Sequence, residues 1–432
     1  MIMEITHREL APGVTLSAVR TTKFKTSLLG LTFLEPLTQE TAAANALIPS
    51  ILRRGTREHP KMEDLSAALD ELYGGAIEPM VRKKGETQCI GFAGSFLDDA
   101  YALEPSQILE KAAALLGEML LHPAGDGTSF QEEYLESEKQ NLVNRIRSRI
   151  NDKQQYAMYR LIREMCAGEP YGVDKLGEEA EAAALTGEAL WKRYQDMLET
   201  APLQIYYCGS APADRVEEAL RSALNGLPNT KRREIPGCLV VGMPAEGRVR
   251  YVTESLDVTQ GKLSMGFRLG ESCTQVEELA PVLIFNAVFG GSTNSKLFLN
   301  VRERLSLCYY ASSAIDKQKG LLLVSSGVAF EKYESARDEI LAQLDDCRKG
   351  RISQEELESA RRYIVNQLRT TLDSQGRLED YWLGQVAAGL QFPPEELAAA
   401  VEKVTGEQVR KAAASWRLDS VYFLAGKEGM GE

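Results

Sequence analysis

Leu135-Glu136-Ser137, followed by Leu142-Val143, recurs as Leu357-Glu358-Ser359 followed by Ile364-Val365, a constant displacement of 222 positions in a chain of 432. A repeat of about half the length constrains the fold strongly, because each copy of one supersecondary plan has to close a core. Both copies have helical spacing and open on similar cap signals, Ser129 three residues before Glu132 and Ser353 three residues before Glu356. Between the halves, residues 225–237 hold prolines, glycines and charges and read as a surface linker. The expected organisation is two similar domains, 1–224 and 238–432, joined by 225–237.

Each half mixes strand and helix patterns in clusters. Alternation marks strands around Thr15 to Leu34, Thr87 to Phe96, Tyr251 to Phe267 and Tyr309 to Ala329, the last with a hairpin turn at Asp316 to Gly320. Helical spacing runs through Ile108 to Met119, Glu132 to Arg149, Glu334 to Cys347 and Gln354 to Leu368. Clustered rather than alternating elements predict an α+β fold, each domain a mostly antiparallel sheet with helices packed on one face.

With 44% hydrophobic residues the chain can fill both cores, and its net charge of −12 argues against nucleic acid or an anionic membrane as a partner. Seven cysteines stand at least 30 residues apart, so no CxxC pair offers a zinc or redox site, and free buried thiols suit a reducing cytoplasm. The start has no basic segment followed by an apolar one, and no stretch reaches the ~18 apolar residues of a membrane helix. The histidines His7, His59 and His122 are too far apart for the i, i+4 pair of a helical zinc site, and His59 and His122, each beside a proline, read as solvated or locally bonded loop residues. There is no GxSxG elbow, GxxxxGK[ST] loop or GxGxxG turn. Gly290-Gly291-Ser292 reads as a helix C-cap before it reads as an anion cradle.

The stretch from Asn286 to Tyr309, with its Gly-rich turn, Ser-Lys-Leu-Phe start, Arg302-Glu303 pair and Leu-Cys-Tyr strand entry, resembles the C-terminal domain of the pitrilysin/insulinase family of zinc peptidases. Ala44 to Thr56 is similar to the family's zinc helix, ending Leu52-Arg-Arg-Gly-Thr56 where the family has HFLEHMLFKGT, and Pro170-Tyr171-Gly172 extends the match. The resemblance implies a metallopeptidase-like clamshell half with degenerate zinc-site positions. The two ligand histidines fall on Ala46 and Ser50, the water-activating glutamate on Pro49, and the last ligand carboxylate on Arg145, while its companion Glu138 is kept. Alanine offers no donor, serine is a poor zinc ligand, a guanidinium repels a cation, and a helical proline predicts a kink or a late start.

The family's substrate-binding Arg and Tyr match Arg302 and Tyr309. Read from the residues alone, Arg302 could instead pair with Glu303, Tyr309 could pack on the sheet, and Tyr310 competes for the same role. The resemblance therefore implies a chain that binds no metal and is no enzyme on its own. It implies the non-catalytic subunit of a heterodimeric metalloendopeptidase, binding unstructured peptides beside a paralogue that carries the zinc. The alternative is a structural or chaperone-like pseudo-peptidase, and a homodimer in the absence of the paralogue is a third option that the residues leave open.

Overall fold

A computed structural model describes residues 3–103, 106–242 and 248–427. Eleven strands are described, β1 (Glu4–Ala11), β2 (Val14–Arg20), β3 (Thr26–Pro36), β4 (Ala76–Lys84), β5 (Thr87–Leu97), β6 (Leu203–Gly209), β7 (Arg250–Leu256), β8 (Gly261–Arg268), β9 (Cys308–Asp316), β10 (Leu321–Val328) and β11 (Arg417–Gly426). The α-helices are α1 (Gln39–Leu52), α2 (Met62–Glu71), α3 (Ile108–Leu121), α4 (Glu132–Ser148), α5 (Lys153–Met165), α6 (Glu179–Ala184), α7 (Gly187–Thr200), α8 (Ala213–Ala223), α9 (Val276–Asn286), α10 (Tyr333–Arg348), α11 (Gln354–Thr371), α12 (Gln375–Ala387), α13 (Pro394–Lys403) and α14 (Gly406–Ser415).

The strands form two sheets of one plan. The first runs β1-β2-β6-β3-β5-β4 and the second β7-β11-β8-β10-β9. In each, one parallel pair (β2 with β6, β7 with β11) adjoins a run of antiparallel neighbours, and β1 is an extra strand outside β2. Inward residues such as Leu16, Leu31, Phe92 and Ile205 meet the main helix layer in the first unit, as Leu263, Phe267, Val324 and Val421 do in the second. The fold is the expected α+β arrangement of two similar, mostly antiparallel sheets, each with its main helix layer on one face, to which a single helix on the other face is added.

The compact units redraw the expected boundaries by an exchange. The first consists of Met1–Arg147, Val173–Gly237 and Gln375–Gly389, the second of Ser148–Gly172, Cys238–Ser374 and Leu390–Glu432. Thus α12, from the C-terminal half, covers the second face of the first sheet, where Leu383 meets Leu34 and Cys89. Its repeat counterpart α5, displaced by the same 222 residues, covers the second face of the second sheet, where Ala157 and Leu161 meet Tyr422 and Leu424. Polar bonds fix α12 in place: Arg82 to Glu379 at 2.5 Å, Lys84 to Asp380 at 2.8 Å, and Gln375 Nε2 to the Thr26 and Cys208 carbonyls at 2.8 and 2.9 Å.

His7 on β1 reports on this docking. Its Nδ1 is 3.0 Å from Ser17 Oγ, its ring stands edge-on to Trp382 of α12 at 5.3 Å, and burial pulls its pKa below the usual 6.5. The unfolded chain therefore takes up this proton first, so His7 costs stability as pH falls below about 6.5 through the lowered native value. Thermal unfolding at about pH 7.5 and 5.5 should show a smaller loss on acidification for His7→Asn than for the wild type; equal losses would show that this histidine is not coupled to folding.

One local expectation needs correction. The cap at Ser353 forms, with reciprocal bonds between Ser353 and Glu356, but its counterpart does not: Ser129 is drawn to Asp126 by Oγ at 3.2 Å and backbone N–H at 2.9 Å. Residues 225–237 run mostly exposed and without helix or strand, as a surface linker should, and are held by buried Arg232 to the Ala201 carbonyl at 2.5 Å and by Arg233 to Glu35 at 2.9 Å. The hairpin turn Asp316 to Gly320 forms as expected. Gly320 is required there, since φ is +66° and a Cβ would stand 2.0 Å from the Glu271 carbonyl oxygen.

Candidate functional site

The residues on the degenerate zinc positions lie in the first unit. Helix α1 runs unbroken from Gln39 to Leu52, neither kinked out of helical form nor late in starting, because Pro49 falls in its last turn. Ala46 is fully buried in the main core beside Leu47 and Ile48, Pro49 is buried, and Ser50 is half-buried. The polar residue of this stretch, Asn45, faces inward: it donates to Gln88 Oε1 and accepts from Arg193 Nε, both at 2.8 Å, and Arg193 pairs with buried Glu35 at 2.8 Å.

On α4, Glu138 and Arg145 are seven residues apart, and Arg145 is exposed. Glu138 is engaged by Arg54 at 3.0 Å, and that guanidinium stacks over the Tyr134 ring at 4.9 Å. The retained carboxylate thus ties the end of the α1 segment to α4. These residues do not fit a zinc ion: one position is a core methyl, one a buried proline, one a hydroxyl and one an exposed cation.

The histidines are not drawn into this cluster. His59 Nδ1 lies 3.0 Å from Glu118, which also accepts from the Thr56 hydroxyl, and His122 ends α3. Among the described residues no group of three or more His, Cys, Asp or Glu is placed to hold a metal ion. Cysteine chemistry has no better footing, since burial pushes the Cys89, Cys273 and Cys347 thiols up to about 12.

In the second unit, Gly290 and Gly291 are not a C-cap; they continue the helical path of α9 through a wider π-type turn, Ala287–Gly291. A second π-type turn, Leu297–Arg304, carries Arg302, and Ser306 just past its cap has a φ of +50°, in the left-handed region where glycine is usual. The strained residue is tied down by Ser306 N–H to the Arg302 carbonyl at 3.1 Å and by Lys332 Nζ to the Ser306 carbonyl at 2.8 Å.

The chain then enters β9, where Cys308 pairs with Val328 and Tyr310 with Gly327, leaving Tyr309 as the extra residue of a β-bulge. Tyr309 is 63% exposed, so it does not pack on the sheet. Tyr310 is half-buried, and burial raises its pKa. The Arg302 side chain is 42% exposed, stacks on Phe298 at 4.8 Å and has Glu303 at 3.5 Å, an exposed pair worth little. Neither the bulge nor the left-handed Ser306 was foreseen from the sequence; both sit next to the pair that the resemblance singled out. Leu299 and Leu305 are exposed alongside them.

A family model described as "Peptidase M16 inactive domain" matches residues 184–364. The chain is 37% identical over 420 residues to the Bacillus subtilis (strain 168) protein named "Probable inactive metalloprotease YmfF", covering 96% of this chain and 97% of that one. Among solved structures, a conserved protein from Enterococcus faecalis V583 superposes with a TM-score of 0.89 at 29% identity, covering 99% of this chain and all of that one. A protease from Helicobacter pylori shares the fold, with a TM-score of 0.80 at 14% identity over 98% of this chain and 100% of that one. The chain belongs to the M16 peptidase family, the pitrilysin/insulinase group. Within it, this is a homologue in which Ala46, Pro49 and Ser50 stand where the zinc motif has its histidines and glutamate. Among the described residues no helix is long and apolar enough to cross a membrane.

Proposed function

We propose that this chain is the non-catalytic subunit of a two-subunit zinc metallopeptidase of the cytoplasm, pairing with a paralogue that carries the metal and presenting Arg302 and Tyr309 to an unstructured peptide. The observation that carries the reading is the exposure of both side chains beside the bulged entry of β9, an edge strand of its sheet. An edge strand offers a row of free backbone groups on which a peptide can add as a further strand with little demand on its sequence. A guanidinium and a phenol next to that edge can donate to a peptide carbonyl, and to the oxyanion it becomes under attack.

In a pair reconstituted with the zinc-bearing paralogue, Arg302→Ala and Tyr309→Phe should each lower turnover about 10²-fold if they act as oxyanion donors. Tyr310→Phe should leave it nearly unchanged. Full turnover in both of the first two variants would remove the assisting role and favour peptide capture without help in hydrolysis.

A further inference from the structure

Lys262 of β8, Gly327 of β10 and Tyr310 of β9 lie in one cross-strand row, on the sheet face that α5 covers in part. Gly327 adds no side chain to the row. A Cβ there would stand 2.4 Å from the Tyr310 ring and 3.0 Å from Gln260 Oε1. The space kept open lets the Lys262 ammonium reach over the Tyr310 ring, 5.6 Å from its centroid, while donating to Gln260 Oε1. Lys262 also lines an open cleft of about 840 Å³ between the start of α5 and the β7–β8 turn.

Two of the other charges lining the cleft are already used. Asp152 caps α5, accepting from the Gln154 and Gln155 N–H groups at 3.0 Å, and Lys153 donates to the Ile150 carbonyl at 2.8 Å. Glu254, on the same sheet face, is held by Arg160, Tyr156 and Tyr422, each at 2.8 Å. Asp257 stands exposed at the rim. Lys262 is bonded to a neutral amide, and burial lowers its pKa although Asp152 opposes the shift. A half-desolvated ammonium with donors to spare is stabilised by an incoming carboxylate.

We propose that Lys262 reads an acidic side chain on a peptide laid along β9, which makes it a specificity residue of the peptide site; the inference rests on the reading of β9 as the peptide's edge. An added strand stands about 4.8 Å beyond β9 and sends alternate side chains to this face. The position beside Tyr310 lies across the ring that Lys262 covers, and a glutamate there has the length to meet the ammonium.

The test uses the full chain and two fluorescent, unstructured dodecapeptides that differ only in one central residue, glutamate or glutamine, read by anisotropy. The wild type should bind the glutamate peptide roughly tenfold tighter, as a charge-assisted bond implies. Lys262→Met should bring the two affinities together without weakening the glutamine peptide, and Lys262→Arg should keep the preference. Lys262→Gln gives the same comparison should the methionine variant fail to fold. Equal affinities in the wild type, or a preference that survives Lys262→Met and Lys262→Gln, would overturn the inference and leave peptide capture standing. Binding of neither peptide would remove both.

Discussion

Glu169→Ala should destabilise the second unit by about 3–5 kcal/mol, the usual cost of leaving buried charges without their partner. For a unit of this size that is a fall in melting temperature of roughly 10 °C. Glu169 offers one oxygen to each of two buried cations, Arg268 at 2.6 Å and Lys319 at 2.8 Å, whose side chains are 4% and 0% exposed. Arg268 keeps Asp419 at 2.8 Å and the Met165 carbonyl at 2.7 Å when the glutamate goes. Lys319 also donates to the Leu239 carbonyl and lies 5.8 Å from the Tyr171 ring centroid. The double variant Glu169→Ala, Lys319→Met should recover much of the loss, because removing both members of a buried pair is far less costly than removing one. Urea unfolding of the three proteins decides it. A single-variant loss below about 1 kcal/mol would mean that the cluster is hydrated and acts as a surface pair.

That cluster anchors an exchanged segment, and the exchange is the part of the fold that pattern reading could not reach. The repeat, the two sheets, the β9–β10 hairpin and the amphipathic helices follow from local period and turn chemistry, where neighbours in sequence decide the outcome. The cover on each sheet's second face was not anticipated, since helices were expected on one face, although Leu321-Leu322-Leu323-Val324 is the uninterrupted apolar run of a strand covered on both. Which segment supplies the cover is not local information at all. Helices α5 and α12 look like any other amphipathic helix, and only long-range partners assign them: Arg82 for Glu379, Glu254 for Arg160, Asp316 for Tyr171. Tyr171 of the Pro-Tyr-Gly segment turns out to bond Asp316 at 2.8 Å, with burial pushing its hydroxyl well up, so it pins the crossover to the hairpin.

The candidate site was legible in a different measure. Loss of zinc donors is a matter of residue identity, which sequence states outright. What takes the metal's place is a matter of packing: Arg54 drawn onto Glu138, and Asn45 turned into a buried network with Gln88 and Arg193. For Arg302 and Tyr309 the resemblance named the residues but not their exposure. The bulge that frees Tyr309 arises from a one-residue mismatch between β9 and β10, which has no signature in either strand alone.

Restoring the family's donors in one chain, by Ala46→His, Pro49→Glu, Ser50→His and Arg145→Glu, should yield less than one zinc per molecule and no proteolysis above background. Ala46 has no room for an imidazole: it is 0% exposed, and overpacking a filled core costs about 1–3 kcal/mol. Pro49 is buried as well, and a carboxylate placed there without a partner costs several kcal/mol more. Ser50 and Arg145, half-buried and exposed, tolerate exchange, so the burden falls on the first two positions. Zinc can offset part of it by binding only the folded chain. The outer partners that orient metal-bound imidazoles were never built, however, and their lack alone weakens binding about 10–100-fold. Arg54 would meanwhile keep a guanidinium on Glu138, where the charge opposes a cation. Metal content after dialysis and melting curves with and without zinc give the readout, with a fall in melting temperature on the order of 10 °C expected in the metal-free form. One tightly held zinc per chain together with chelator-sensitive peptide cleavage would show that the pocket survives intact beneath its substitutions, and that the packing around Ala46 yields far more readily than a filled core should.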